Sequence, residues 1–186
     1  MRALIRMLRA LLAVLLIAAA TPVYAASLVD TAKLDQLFAE LKLAPSADAA
    51  ETISRQIWAI WMVPSDEKLA ARMATAGAFM TMGDLRATMA VLDKIVADYP
   101  DYSEGWNQRA TVEYMMNNFS ASLADIDKTL ALEPRHYGAL AGRVMIYLQQ
   151  GHRAEALHDM ITALAIHPYL STKQLFPELA PPVTHI

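Results

Sequence analysis

Cysteine is absent from all 186 residues of the chain. Its absence excludes disulfide bonds, thiolate metal sites and cysteine nucleophiles together. Glycine is scarce, with six residues, and these form neither a phosphate-binding loop nor a strained nucleophile turn. Histidine pairs at i, i+4 spacing are also missing, and His152 with Glu155 supplies only two of the ligands that a metal needs. We therefore expect no catalytic residue, no metal and no cofactor, and we predict that the protein is not an enzyme.

The chain also has no long apolar run, because the apolar run at its N-terminus is short. Arg2, Arg6 and Arg9 precede an apolar run of 11 residues at 10–20, and the small residue Ala25 follows. These are the three parts of a secretory signal peptide. A membrane anchor is the alternative, but a spanning helix needs about 20 apolar residues. We predict that residues 1–25 are a signal peptide cleaved after Ala25, that the protein is periplasmic, and that no membrane span remains after cleavage.

Acidic side chains outnumber basic ones in the rest of the chain. Removing the three arginines of residues 1–25 from the total of 16 basic side chains leaves 13 against 19 acidic ones, a formal charge of −6. Nucleic-acid binding requires a basic surface that displaces counterions from phosphates, and anionic membranes attract the same kind of surface. Nucleic acid is therefore excluded as an expected partner, and an anionic membrane surface is disfavoured.

Three prolines lie 34 residues apart, at positions 100, 134 and 168, and define an internal repeat. Residues that tolerate a left-handed turn align at Gly83, Asn117 and Gly151, small residues at Thr88, Ser122 and Ala156, and larger apolar residues at Leu92, Ile126 and Met160. Proline cannot continue a helix, so each one marks the end of a repeat. The period predicts three copies of one helix–turn–helix unit.

Each copy divides into two helices at its left-handed turn. We predict repeats at about 69–102, 103–136 and 137–170, within a region of residues 65–170. The first (A) helices are predicted at 69–82, 103–116 and 137–150, and the second (B) helices at 85–98, 119–132 and 153–166. Asp101 with Glu104 is typical of a capping box at the start of the second A helix. Residues 171–186 are predicted to be a tail, with one short turn before Pro177 and a frayed end after it.

Residues 26–64 are predicted to form a divergent helix pair ahead of the repeats. Apolar residues recur at helical spacing in two stretches, 34–41 and 53–61, which Pro45 separates. We expect this pair to cap the first repeat. Trp58 and Trp61 share one helix face, and their burial against that repeat is favoured over an exposed binding stripe, because aromatic residues at helical spacing usually serve a core.

The 34-residue frame, with Trp106, Tyr147 and the proline at each repeat end, resembles tetratricopeptide-repeat (TPR) proteins. The longer stretch 34–168 resembles small exported repeat proteins of alphaproteobacteria, through residues 34–38, 101–111, 122–126 and 132–140. The resemblance implies an all-α, right-handed solenoid of stacked helix pairs, with about eight helices: three TPR repeats and the N-terminal pair. It implies a periplasmic protein and no enzymatic activity.

In a repeat solenoid the A helices line the concave surface, where peptides bind. We predict that this groove is lined by Met73, Met80, Asn107, Thr111, Tyr114, Met115, Met145 and Leu148. Methionines suit variable apolar ligands, although they also fill irregular cores, and both interpretations stay open. The lysines and asparagines of the carboxylate-clamp TPR proteins are missing, so a receptor for chaperone tails is not expected. For Arg109, an ion pair with Asp125 or Glu113 is favoured over ligand contact.

These patterns favour a non-catalytic periplasmic adaptor or scaffold that binds a protein or peptide in its concave groove. The alternative is a structural module of the cell envelope whose solenoid ends associate with each other. The sequence leaves the partner's identity and the oligomeric state open.

Overall fold

The computed structural model describes residues 29–179 of the chain. Over this range eight α-helices are followed by two short 3-10 helices, without a strand. The α-helices are Thr31–Lys42 (α1), Ala47–Met62 (α2), Glu67–Thr81 (α3), Leu85–Asp98 (α4), Ser103–Met115 (α5), Phe119–Leu132 (α6), Tyr137–Gln149 (α7) and Arg153–Ile166 (α8). The 3-10 helices are Ser171–Leu175 and Pro177–Leu179. The predicted signal peptide and residues 180–186 lie outside the described residues.

The predicted fold class, an all-α solenoid of stacked helix pairs, is confirmed. Helices α3 and α4, α5 and α6, and α7 and α8 form three pairs within two residues of the predicted bounds. The turn inside each pair adopts positive φ at the aligned residues, with 74° at Gly83, 62° at Asn117 and 80° at Gly151. Glycine and asparagine accept this conformation at low cost, so the chain can reverse at each of these positions.

Close approach of the two helices in each pair depends on the small residues of the repeat. Thr88, Ser122 and Ala156 are all buried. Ser122 Oγ donates a 2.7 Å hydrogen bond to the carbonyl oxygen of Ala110 on the facing helix α5. A larger side chain at these positions would push the helices apart, because a packed interior has little room for added volume.

Neighbouring repeats are joined by a repeated ion pair. Arg109 on α5 donates to Asp125 on α6 at 2.7 and 2.8 Å, and its remaining nitrogen reaches Asp93 on α4 at 3.1 Å. One period later Arg143 on α7 bonds Asp159 on α8 at 2.7 and 2.9 Å and Asp127 on α6 at 2.7 Å. Of the two partners predicted for Arg109, Asp125 is therefore the one with which it forms an ion pair. Each arginine links the B helix of its own repeat to that of the preceding repeat.

The capping box predicted at the start of α5 is wrong. Tyr102 occupies the position before the first helical turn and makes no side-chain cap there. The Glu104 side chain is fully buried and turns inward toward His136 instead of back toward the helix start. A buried carboxylate needs hydrogen-bond donors, and the interior supplies them at this position.

The tryptophans of the N-terminal pair form no exposed stripe, since Trp61 is fully buried and Trp58 half-buried. The prediction that the pair caps the first repeat and packs its tryptophans there is wrong. The Trp61 ring stacks on His136, the residue that caps the start of α7, with centroids 4.0 Å apart and planes 8° from parallel. Trp58 contacts the rings of His136 and Tyr137 edge-on at 5.6 and 5.9 Å. Helix α1 adds an ion pair from Asp35 to Arg135 at 2.7 Å, across 100 residues of sequence. The pair therefore covers the first turn of α7.

The end of α8 and the start of α5 both contact this N-terminal pair. Ile166 at the end of α8, with Tyr169 and Leu170 after it, packs on the core that α1 and α2 form around Trp61. At the other side, the Tyr102 hydroxyl at the start of α5 donates to the carbonyl oxygen of Trp61. The pair thus lies along the turns that connect successive repeats and leaves the later turns of α5 and α7 uncovered.

The C-terminal segment is packed where the sequence predicts a frayed tail. Phe176 is 1% exposed and belongs to the core of the third repeat. Glu178 pairs with Arg153 at 2.9 Å. The expected fraying is therefore wrong for residues 177–179. Among residues 29–179, no helix combines the length and apolar character that crossing a membrane requires.

Candidate functional site

A groove lies between α5 and α7, with α6 forming its floor. It encloses a cavity of about 130 Å³. The lining residues are Asn107, Ala110, Thr111 and Tyr114 of α5, Ser122 and Ile126 of α6, and Gly138, Ala139, Gly142 and Met145 of α7. Residues 107, 111 and 114 recur at helical spacing and therefore share one face of α5. A cavity of this size matches one apolar side chain, since a cavity of about 150 Å³ accommodates benzene.

Four of the eight predicted groove residues meet at this cavity: Asn107, Thr111, Tyr114 and Met145. Tyr114 is half-buried, with its ring 5.8 Å from that of Phe119, and Met145 is 39% exposed. The groove is thus an apolar hollow with an amide, a hydroxyl and a thioether at its rim.

The other four predicted residues lie elsewhere. Met73 is 3% exposed in the core of the first repeat, and Met80 packs on the same core. Leu148 packs on the core of the third repeat, and Met115 is 50% exposed outside the cavity. For the two methionines of α3 the core-filling alternative is therefore the one that the structure shows.

The position of each residue within the 34-residue repeat explains whether it is buried or exposed. Met73 and Asn107 lie 34 residues apart and are therefore equivalent positions of successive repeats. Both point between helices, because each is less than a tenth exposed. Thr111 and Met145 are also equivalent positions, one helical turn after that of Asn107, and both are exposed. Thr111 and Met145, together with Tyr114, therefore form the accessible wall of the groove.

Asn107 is fixed by a buried polar network at the start of α5. Its Nδ2 donates to the two carboxylate oxygens of Glu104 at 3.1 and 3.2 Å. Gln108 and His136 also reach this carboxylate, with His136 Nε2 at 2.8 Å. Because His136 Nδ1 accepts the Ala139 N–H at 3.1 Å, its proton lies on Nε2, which donates to Glu104. Three donors satisfy the buried carboxylate and fix the amide at the inner end of the groove.

Sequence reasoning missed this network, although the repeat frame contained a signal. Tyr102 and His136 lie 34 residues apart, each directly before an A helix, and both are buried. Both hold Trp61, one through its hydroxyl and the other through its stacked ring. Of the two, only His136 caps its helix with its side chain, so the repetition of an aromatic ring at this position indicates a tertiary contact rather than a capping role.

The remaining titratable side chains are spread over the molecule. Burial raises the pKa of the Tyr137 hydroxyl, and burial lowers the pKa of His167. Glu155 and His158 line a separate, more open cleft on the surface of α7 and α8. Within the described range, no three histidine or carboxylate side chains converge as a metal site would require.

Comparison with known proteins identifies the repeats. A TPR repeat-containing protein of Rhizobium etli is 34% identical over 142 residues, which cover 76% of this chain and 70% of that protein. No protein-family model matches the chain. Among solved structures, a crystal structure of MamA covers 72% of this chain and 80% of its own at a TM-score of 0.50 and 17% identity. This likeness shows the helical-repeat fold alone.

The relative is sufficiently similar, over enough of its length, to establish the family. TPR proteins are typically non-catalytic scaffolds for protein–protein interaction, which is the class of function that the open groove fits. The chain belongs to the tetratricopeptide-repeat family.

Proposed function

We propose that the protein is a non-catalytic periplasmic adaptor that binds a segment of another protein in the groove between α5 and α7. The observation that carries this proposal is the cavity at which Asn107, Thr111, Tyr114 and Met145 meet. It has an apolar floor and a polar rim, the usual composition of a site that binds one anchor side chain.

The rigid inner end of the groove supports binding. Asn107 is oriented by Glu104, which His136 holds from the start of α7. A side chain that is already ordered loses little entropy when a ligand arrives, so less of the binding free energy is lost. Met145, by contrast, is flexible and can adapt to different apolar side chains.

The periplasmic part of the proposal rests on residues 1–25, whose basic start, short apolar run and small-residue end are typical of a signal peptide. A partner would then be another periplasmic protein or an exposed segment of an envelope protein.

A photo-crosslinking amino acid at Thr111 tests the groove in intact cells. Thr162 on α8 is the matched control, because both threonines are exposed and both bond the carbonyl oxygen four residues earlier. We expect one defined adduct from position 111 and none from position 162. Equal adducts from both positions, or none from either, would contradict the proposal.

A second candidate function is end-to-end self-association, and the outer face of α3 favours it. Ala74, Gly77 and Ala78 are exposed on this face, and a Cβ added at Gly77 would meet nothing within 4 Å. Small residues allow a further helix to approach closely, as within the repeats. Light scattering would show a dimer or larger assembly that Gly77→Lys dissolves if this function is the main one, and a monomer if it is not.

A further inference from the structure

A second cleft adjoins the groove at Gly138. It has a volume of about 400 Å³ and lies between α2, the start of α7 and the connection that follows α8. Its walls include Asp48, Glu51, Trp58, Tyr137, His167 and Tyr169. The cleft is therefore built by the N-terminal pair together with the third repeat.

Negative charge marks one wall of this cleft. Asp48 and Glu51 lie three residues apart on α2, so they share a helix face, and both are exposed. Glu51 has one charged neighbour, Arg55, at 3.6 Å, and both side chains are about two-thirds exposed. Such an exposed pair contributes little, so the carboxylates can pair with a ligand cation.

Aromatic rings form the opposite side. Tyr137 is fixed because its hydroxyl shares a 2.7 Å hydrogen bond with Ser54, and its ring contacts Trp58 edge-on. Tyr169 completes this side of the cleft. Lys173 already lies over the Tyr169 ring at 5.8 Å and Tyr137 is buried, whereas Trp58 is half-buried. Ring faces attract cations, and guanidinium groups in particular stack on them. Carboxylates facing aromatic rings match the side chain of arginine or lysine.

His167 supplies a hydrogen-bond donor deep in the cleft. It is 5% exposed, and its Nδ1 accepts the backbone N–H of Tyr169 at 3.3 Å, so its proton lies on Nε2. His167 lines the cleft, so this Nε2–H is available to a ligand there. Burial lowers the pKa of His167, which keeps the ring neutral at neutral pH. A neutral donor suits a peptide carbonyl and does not repel a ligand cation.

Gly138 connects the cleft with the groove, since it lines both. A Cβ added at Gly138 would lie 2.6 and 2.7 Å from two atoms of the Trp58 indole, so the ring rests directly on the helix backbone. The two cavities thus meet at Gly138. An extended segment that crosses Gly138 would place side chains in both.

We infer that the partner segment carries an apolar side chain for the groove and an arginine or lysine for the cleft of Asp48, Glu51 and His167. The apolar half of this inference rests on the proposed function. The basic half rests on the cleft itself, and the closing experiment separates the two.

Labelled synthetic peptides provide the probe. Each carries one leucine and one arginine, at every spacing that an extended chain can bridge between the two cavities. A matched set replaces arginine with citrulline, which keeps the shape and removes the charge. Fluorescence anisotropy with the full chain measures both sets against the natural protein, the Asp48→Asn/Glu51→Gln variant and a Glu67→Gln/Glu155→Gln control. The control removes two exposed carboxylates from first helical turns outside the cleft.

We expect one spacing at which the arginine peptide binds about fivefold more tightly than its citrulline match, as one weakly screened ion pair allows. The Asp48→Asn/Glu51→Gln variant should lose this ratio, and the control variant should keep it. Binding that depends on leucine but is equal for arginine and citrulline would overturn the basic site and leave the proposed function standing. Preference for arginine that the variant retains would also overturn the site. The absence of binding by every peptide would overturn both.

Discussion

At the scale of single residues, the buried charges have the clearest role. Asp125 is 4% exposed and Asp159 is 3% exposed, and each receives two hydrogen bonds from one arginine. Burial makes these carboxylates costly unless they are paired, so the pairing fixes how the helices of a repeat meet. The sequence predicted the first pair as one of two options, because both Glu113 and Asp125 follow Arg109 at a plausible distance.

Asp125→Ala should lower the free energy of unfolding by about 2–3 kcal/mol, because it leaves Arg109 half-buried with one weak partner. Asp93→Ala is the matched control, since Asp93 pairs with the same arginine but its side chain is 55% exposed. We expect a cost below about 1 kcal/mol for the control. Urea unfolding of the two variants measures the difference, and equal costs would contradict this account.

His167 predicts a pH dependence of stability. Its pKa in the folded protein is lowered by burial from the ordinary value of 6.5. The unfolded chain therefore takes up the proton first as the pH falls, so the free energy of unfolding decreases between about pH 6.5 and the lower pKa of the folded state. The His167→Gln variant should show a weaker decrease over this window, whereas the exposed His158→Gln variant should follow the natural protein. Identical profiles for all three proteins would show that His167 does not titrate differently on folding.

At the scale of elements, the repeat period predicted the six helices and the turns within each pair because those features depend on local rules. A proline ends a helix, and a glycine or asparagine accepts positive φ, whatever surrounds it. The position of α1 and α2 depends instead on contacts between distant residues, such as Trp61 with His136. No periodic pattern within α2 shows which repeat its aromatic face will contact.

Gly138→Ala tests the contact between α2 and α7. The added methyl group would lie within 2.7 Å of the Trp58 indole, so the ring must move, and we expect a loss of about 1–3 kcal/mol through overpacking. Gly142→Ala on the same helix is the control, because its nearest contact is an ordinary 3.7 Å to Ile126. Alanine is the better helix former by about 0.5–1 kcal/mol, so the control should be neutral or stabilised. Thermal unfolding measures the stability of both variants. A Gly138→Ala variant that is more stable than the natural protein would mean that Trp58 does not lie on α7.

At the scale of the whole molecule, the N-terminal pair ties together the starts of α5 and α7 and the end of α8, and it leaves the groove open. Four of the eight residues predicted for the groove line its cavity, because helical spacing identifies a shared face. The sequence could not distinguish Met73, which turns inward, from Met145, which turns outward, since methionine suits both environments. That distinction depends on which neighbours cover each repeat.

Export is a prediction for the entire chain. We expect cleavage between Ala25 and Ala26, because residues 1–25 have the basic start, short apolar run and small-residue end of a signal peptide. The intact mass of the protein recovered from the periplasmic fraction measures the cleavage position. A chain that keeps residues 1–25 and sediments with the membranes would instead support the anchor.

The central claim is that the groove between α5 and α7 binds the partner, and Tyr114→Ala tests it most directly. Affinity for the protein crosslinked at position 111 is measured for Tyr114→Ala and for Met115→Ala, an exposed neighbour outside the cavity, together with the stability of both variants. We predict a more than tenfold loss of affinity, about 1.4 kcal/mol, for Tyr114→Ala at a stability cost below about 2 kcal/mol. Met115→Ala should change neither quantity. A stability loss of about 3–5 kcal/mol, with unchanged affinity in the folded fraction, would show that Tyr114 is a core residue and would contradict the claim.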